Sequence, residues 1–468
     1  MGAERDRPLR LRWRVADWAA ILIASALLRV LVAFVALGAM PLAGDAGDYF
    51  TAALRLTSGD AGVPFYWPPG ESLALAAGFG LLGPSLALAR WITVAMSTAT
   101  VAFTMLLARD LAGASTARTA GWMAAVYSPA VLLCGQPCAQ HLAALCLAAA
   151  AHFAMRAARA TRPLPFLATG MALGLGCLAR PSMASVAPVI GAAWAVAAHR
   201  TPASRRAIAI GAAAAACVAF ACVVPVCAHN HRAGAGWTIS TNNERNLFLG
   251  NNPYTPDYKT SHLGQRPLEE LDPGARRYLA SFYARPDARA AMGRAALAYM
   301  AEHPARTALR TLNRATSFWG FDYLASREIQ KWRGGRAGAA AAERARTPER
   351  TSLAGWVVLG LEAGGYLAMA ALALVALFGQ RRQGAGDGPT RAWLLALVFA
   401  YELPYTLAFS GGTYHFPVVP LLLPLAAIAA GQRRDAWRNL RRGGPACWAL
   451  GAFAVLQAQY AYHAIAMR

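Results

Sequence analysis

Two aspartates three residues apart are the first groups in this chain that could do chemistry. They stand in Gly44-Asp45-Ala46-Gly47-Asp48-Tyr49-Phe50, directly after the first long apolar run. Residues i and i+3 share one face of a helical turn, so both carboxylates can point into one cleft. At a membrane edge such a pair can take a proton from a hydroxyl or hold a divalent cation. Asp48 could equally cap a following helix. Further on, Tyr66-Trp67-Pro68-Pro69-Gly70-Glu71 sets a fixed, non-helical corner. Its aromatic rings suit the boundary between water and lipid.

Charged and amide groups elsewhere add to this. Arg180, in Leu178-Ala179-Arg180-Pro181-Ser182, is the one arginine in the short turns of the outer face. A charge at that depth is costly; it is either functional or reaches up to lipid phosphate. Residues 229–352 hold Asn242, Asn243, Asn246, Asn251 and Asn252 with Trp237, Tyr254 and Tyr258. Amides bond sugar hydroxyls and rings cover sugar faces, although the same residues also form turns on their own account. Tyr49, Trp67, Asn246 and Asn251 are the sugar-binding candidates. After Pro304, Arg306, Arg310 and Arg314 recur every four residues, with Leu309, Leu312 and Trp319 on another face. That pattern describes an amphipathic helix lying on the membrane, or a solvated arginine face over a local core.

The elements that must position these groups are membrane helices. Hydrophobic residues make up 57% of the 468 and charged residues only 15%, against roughly 25% charged in soluble chains. Eleven apolar runs approach the ~20 residues that cross a bilayer. They cover about 17–40, 86–108, 117–134, 138–158, 163–179, 183–199, 206–228, 353–379, 391–410, 414–431 and 444–465. The first is too long for a signal-peptide core and reads as a retained helix. The expected fold is therefore an all-α polytopic membrane protein with about eleven spans. Two outer segments, 41–84 and 229–352, carry short amphipathic helices. The organisation reads as 1–228, an N-terminal membrane module holding the first outer loop; 229–352, the large outer loop; and 353–468, the C-terminal helices.

The net charge of +22 comes almost wholly from arginine, since Lys259 and Lys331 are the only lysines. It does not point to nucleic acid. The arginines cluster between spans: Arg109 and Arg118; Arg156, Arg159 and Arg162; Arg200, Arg205 and Arg206; Arg381, Arg382 and Arg391; Arg433, Arg434, Arg438, Arg441 and Arg442. Positively charged loops stay in the cytoplasm. The N-terminus is thus expected inside, with both long segments on the outer face. The eight cysteines lie in or beside apolar runs without zinc spacing and read as small apolar residues.

The ordered set of motifs resembles the GT-C superfamily of membrane glycosyltransferases. The likeness is to bacterial, ArnT-like members of the dolichyl-phosphate-mannose–protein mannosyltransferase-like family. It rests on Asp45-x-x-Asp48-Tyr49, the Pro68-Pro69-Gly70 corner, Arg180-Pro181, the stretch from Pro225 to Arg232, and Asn246 to Pro253. Glu302-His303-Pro304 and Thr413-Tyr414-His415-Phe416-Pro417 complete it. It departs at Gln140-His141, His229-Asn230 and Thr413-Tyr414, where the family often has Glu-Pro, Arg-Asn and Arg-Tyr.

The resemblance implies a GT-C-type fold and transfer of a sugar from a polyprenyl-phosphate donor to an acceptor hydroxyl on a lipid, glycan or protein. The setting would be the outer face of the plasma (bacterial inner) membrane. It makes Asp45 the catalytic carboxylate with Asp48 beside it, and Arg180, Tyr414, His229 and His415 the donor-phosphate group. No cofactor is required; a divalent cation is compatible with the acidic pair, but no ligand spacing demands one. A transporter or flippase for lipid-linked sugars, or a polymerase, is the alternative. A transporter would favour internal repeats and midplane charges, and neither is apparent in the sequence.

Overall fold

The computed structural model describes residues 7–42, 44–60, 62–159, 162–258, 263, 268–333, 353–378, 387–431, 440 and 443–466. Among these residues the regular structure is entirely helical. Arg381, Arg382, Arg433, Arg434, Arg438, Arg441 and Arg442, on which part of the expected topology rests, lie outside them.

Helix α1 (Arg7–Val30) continues as a π-helical turn, Leu31–Ala36, and leads to α2 (Asp45–Thr57) and α3 (Gly70–Leu82). Next come α4 (Leu86–Ala125), α5 (Ser128–Leu133), α6 (Ala139–Ala157), α7 (Leu164–Ala179), α8 (Ala187–Arg200) and α9 (Arg205–Arg232). The second outer segment folds as α10 (Asn243–Gly250), α11 (Pro273–Tyr283), α12 (Ala288–Glu302), α13 (Pro304–Phe318) and α14 (Leu324–Arg333). Helices α15 (Leu353–Phe378), α16 (Asp387–Leu407), α17 (Val419–Gly431) and α18 (Pro445–Ala466) complete the chain.

Among the described residues six helical stretches are long and apolar enough to cross a membrane: Val15–Ala36, Leu86–Ala125, Pro181–Arg200, Pro202–Arg232, Gly355–Phe378 and Gly412–Gly431. The protein is an integral membrane protein. The expected spans 138–158, 163–179, 391–410 and 444–465 coincide with helices α6, α7, α16 and α18, whereas 117–134 is divided between the end of α4 and α5. The expected loop between the second and third spans is reduced to a corner. Only Ala112 (φ −148°) and Gly113 (φ +86°) leave the helical conformation inside Leu86–Ala125. Glycine enters that left-handed region without a Cβ clash. Helix α3 has 13 residues, too few to span a bilayer.

The alanine-rich α6 is buried on nearly all sides, as befits a helix at the centre of a bundle. Helices α4 and α7 flank it. Helix α7 also lies along α9, where a Cβ at Gly170 would come within 2.2 Å of the Ala215 carbonyl oxygen. Small residues at such positions let membrane helices meet backbone to backbone.

The arginine stripe on α13 corrects the expectation from sequence. Arg310 and Arg314 are the buried face, each 0% exposed, while Leu312 is 63% exposed. Arg310 Nε donates to Asp257 Oδ1 at 2.9 Å and its Nη1 to the Asn252 carbonyl at 3.0 Å. Arg314 donates to the carbonyls of Gly250, Thr406 and Leu407 and to Asn251 Oδ1. The helix is amphipathic, but Arg310 and Arg314 face protein rather than lipid or water, and Arg314 ties the outer segment to α16.

Candidate active site

Helix α2 follows Gly44, whose φ of +51° suits a residue without a side chain, and has Asp45 and Asp48 in its first turn. A helix N-terminus favours negative charge there. Asp48 makes no capping bond; its Oδ2 accepts instead from the indole Nε1 of Trp67 at 2.9 Å. The chain reaching α2 is held by Arg90, which sequence reading passed over. Its guanidinium donates to the carbonyls of Gly38 at 2.7 Å, Leu37 at 3.2 Å, Met40 at 2.7 Å and Gly135 at 3.2 Å. A second anchor is the buried Asn230. Its Oδ1 accepts from the Phe65 amide at 2.8 Å and its Nδ2 donates to Thr238 O at 2.8 Å and Ile239 O at 3.1 Å. The Thr241 amide donates to Phe65 O at 2.9 Å, so the two outer segments are stitched together at Phe65.

Under this stitch lies a cavity of about 680 Å³ lined by residues of both outer segments and the bundle. Asp45, Trp67, Arg180, Asn246 and Tyr414 all reach it. Tyr405, Arg245 and Arg327 reach it too and carried no signal in the sequence. Asp45 is open to the cavity yet closely ringed by protein. Burial raises its pKa above the ordinary carboxylate value, Arg180 pulls it back down, and Asp48 pushes it up.

Arg180 ends α7 in an extended conformation, its amide bonded to Gly176 O at 2.8 Å, and Pro181 turns the chain away. Its guanidinium carbon lies 5.6 Å from the centre of the Tyr414 ring. Among the described residues it has no ion-pair partner, although it stands in the field of Asp45. The Pro68-Pro69-Gly70 corner seats directly against the backbone before it. A Cβ at Gly70 would come within 2.6 Å of the Ala179 nitrogen.

Several expected site residues lie elsewhere. His415 is buried, its Nδ1 at 2.9 Å from Phe318 O and its ring stacked on Tyr366 at 4.0 Å. Asn251 is also buried; it donates to Leu247 O at 2.9 Å and Leu407 O at 3.0 Å, which makes it a brace for α10. His229 lies 3.1 Å from Val63 O and lines a second cavity of about 270 Å³ together with Asp48 and Tyr49. Trp67 lines both cavities. Among the described residues no three His, Cys, Asp or Glu side chains gather as a metal-holding group.

Glu71 is a further charge that sequence reading treated only as part of a corner. It is fully buried, and neither carboxylate oxygen has a hydrogen-bond partner. Burial pushes its pKa up to about 8. The folded state therefore binds this proton more tightly than the unfolded chain, and stability drains away as pH rises from about 4.5 to about 8. Glu71→Gln, which mimics the neutral acid, is expected to raise the melting temperature more at pH 7.5 than at pH 5. Equal shifts at both pH values, or a loss at pH 7.5, would show that Glu71 is stably ionised.

Residues 67–229 match the dolichyl-phosphate-mannose-protein mannosyltransferase family. No curated protein sequence matches the chain. Among solved structures, the apo oligosaccharyltransferase of Archaeoglobus fulgidus aligns with a TM-score of 0.51 at 13% identity, over 96% of this chain and 56% of that one. This chain thus spans little more than half of that protein's length. The oligosaccharyltransferase AglB of the same organism, in complex with an inhibitory peptide and a dolichol-phosphate, aligns at 13% identity and a TM-score of 0.48, over 98% of this chain and 56% of that one. ArnT from Cupriavidus metallidurans bound to undecaprenyl phosphate gives 17% identity and a TM-score of 0.42, over 89% of this chain and 78% of that one.

Proposed function

We propose that this chain, which has a GT-C-type fold and a segment of the mannosyltransferase family, is an integral-membrane glycosyltransferase. It moves a sugar from a polyprenyl-phosphate donor to an acceptor hydroxyl on the outer face of the plasma membrane, with its N-terminus in the cytoplasm. The observation that carries this reading is the meeting of Asp45 and Arg180 in one cavity. One is a carboxylate able to take a proton; the other is a guanidinium with no ion-pair partner among the described residues.

Asp45 accepts the acceptor's hydroxyl proton as its oxygen forms a bond to the anomeric carbon. The bond from that carbon to the phosphate oxygen breaks, and the lipid phosphate leaves with the electron pair. Arg180 meets the negative charge that grows on the phosphate, the kind of fixed electrostatic support that favours a transition state. Tyr414, which packs under the guanidinium, holds it in place. Asp48 orients Trp67 through their hydrogen bond. A donor carried on lipid suits an active face where nucleotide sugars are scarce.

Arg180→Ala is expected to weaken use of a polyprenyl-phosphate sugar by on the order of ten- to a hundred-fold, the worth of one charge-assisted hydrogen bond. Arg180→Lys should recover only part of it, since lysine offers a point charge in place of a two-pronged fork. Apparent donor affinity measured for both variants in one detergent tests this. Unchanged affinity in Arg180→Ala would move the phosphate site elsewhere.

A further inference from the structure

The smaller cavity lies beside the larger one, with Trp67 in the lining of each. The two share a wall. Trp67 lines both, and its indole is fixed to Asp48 by the 2.9 Å bond. Helix α2 puts one carboxylate on each side: Asp45 on the larger cavity, Asp48 on the smaller. Side chains at i and i+3 lie roughly 5–6 Å apart at their Cβ atoms. A group projecting from the smaller cavity past the Trp67 ring therefore arrives beside Asp45.

The lining says what kind of group that is. Phe65, Tyr66 and Trp67 supply ring faces and edges. Asp48 and Asp60 supply acceptors for hydroxyl protons, against one guanidinium, Arg55, and the His229 ring, whose Nε2 is spent on the Val63 carbonyl. That balance disfavours a phosphate and suits a neutral polyhydroxyl ligand. Cavities of roughly 300–1,000 Å³ hold drug-sized ligands, so about 270 Å³ fits a single sugar ring. Among the described residues none bonds the exposed Asp60 side chain, so it is available to a ligand.

We infer that the smaller cavity is the acceptor subsite and that the acceptor is a carbohydrate. This rests on the glycosyltransferase reading above. The ring sits against Trp67 and Tyr66, and one of its hydroxyls reaches past the shared wall. Asp45 takes that hydroxyl's proton, the oxygen bonds the anomeric carbon of the donor, and polyprenyl phosphate departs.

The test uses the full-length protein in detergent, with polyprenyl-phosphate sugars as donors. The acceptors are methyl glycosides of several pentoses and hexoses, and a serine/threonine peptide. Thr51→Trp fills the smaller cavity from α2, and Thr51 does not line the larger one. It is expected to raise the acceptor KM at least ten-fold and leave the donor KM unchanged. Asp60→Asn sits at an exposed position where folding is not at stake. It is expected to raise the acceptor KM several-fold, again without moving the donor KM. Acceptor KM unchanged in both variants, a matching rise in donor KM, or transfer to the peptide but to no glycoside would overturn the inference. Wild-type protein that consumes no donor at all would instead overturn the glycosyltransferase reading.

Discussion

Asp45→Asn is expected to lower sugar transfer by roughly 10²–10⁴-fold, the usual contribution of a positioned general base. The change keeps the shape and removes the proton acceptor. Folding should survive it, because the carboxylate is not held by any side-chain bond and its charge is opposed by burial and by Asp48. Its folded-state pKa is raised, so ionising Asp45 detracts from stability as pH rises through that pKa, and the amide avoids this penalty. The same shift predicts the acid limb of the wild-type rate profile. Activity should fall as pH drops through a value above the ordinary aspartate range. Transfer rate and melting temperature measured on one purified batch check both points. A variant that melts like wild type and transfers at a near wild-type rate would remove Asp45 from the mechanism.

Arg310→Ala is expected to destabilise the outer segment by roughly 3–5 kcal/mol, the scale for breaking a buried ion pair. Arg310 is fully buried and its guanidinium bonds Asp257, Asn252 and Thr255 at once, with Tyr299 below it at 5.1 Å. Alanine leaves two carbonyls without donors and opens a cavity. Asp257 keeps Arg306 at 2.7 Å, so its charge is not wholly abandoned. Arg306 provides the internal control. Its side chain is 47% exposed, and Arg306→Ala should change stability by less than about 1 kcal/mol. Limited proteolysis of residues 229–333 and thermal melting would separate the two variants. Equal behaviour would mean that the buried network carries no stability of its own.

Much of the architecture is legible from the chain because lipid is an unforgiving solvent. Long apolar runs have few alternatives to helices there, which is why the expected apolar runs fold as helices, with 117–134 broken between α4 and α5. The same logic singled out Asp45 and Arg180, since a charge at the membrane edge needs a reason. What escaped the sequence is direction. A four-residue arginine period on α13 defines a face but not what covers it. The partner, Asp257, lies 53 residues before Arg310. Asn251 and His415 are of the right chemical type for a sugar or phosphate site, yet Asn251 spends its Nδ2 on backbone carbonyls and its Oδ1 on Arg314, and His415 Nδ1 meets the Phe318 carbonyl. Glu71 was hidden by its neighbours, because Pro-Pro-Gly reads as a corner whatever follows it. Arg90 carried no signal, because its four carbonyl partners sit on two turns distant in the chain.

The stitch at Phe65 also sets a timetable for biogenesis. Asn230 is 165 residues further along the chain than the amide it holds. At a synthesis rate of about 5–20 residues per second, Asp45 and its helix wait roughly ten to thirty seconds at the membrane surface before the ninth helix delivers that partner. During this interval the first outer segment has its carboxylates but no roof, no Arg180 beneath it at the start, and an unpaired backbone at Phe65. A nascent chain stopped before α9 therefore carries the acid without the stitch above it, and the cavity closes only when Tyr414, far down the chain, packs against Arg180.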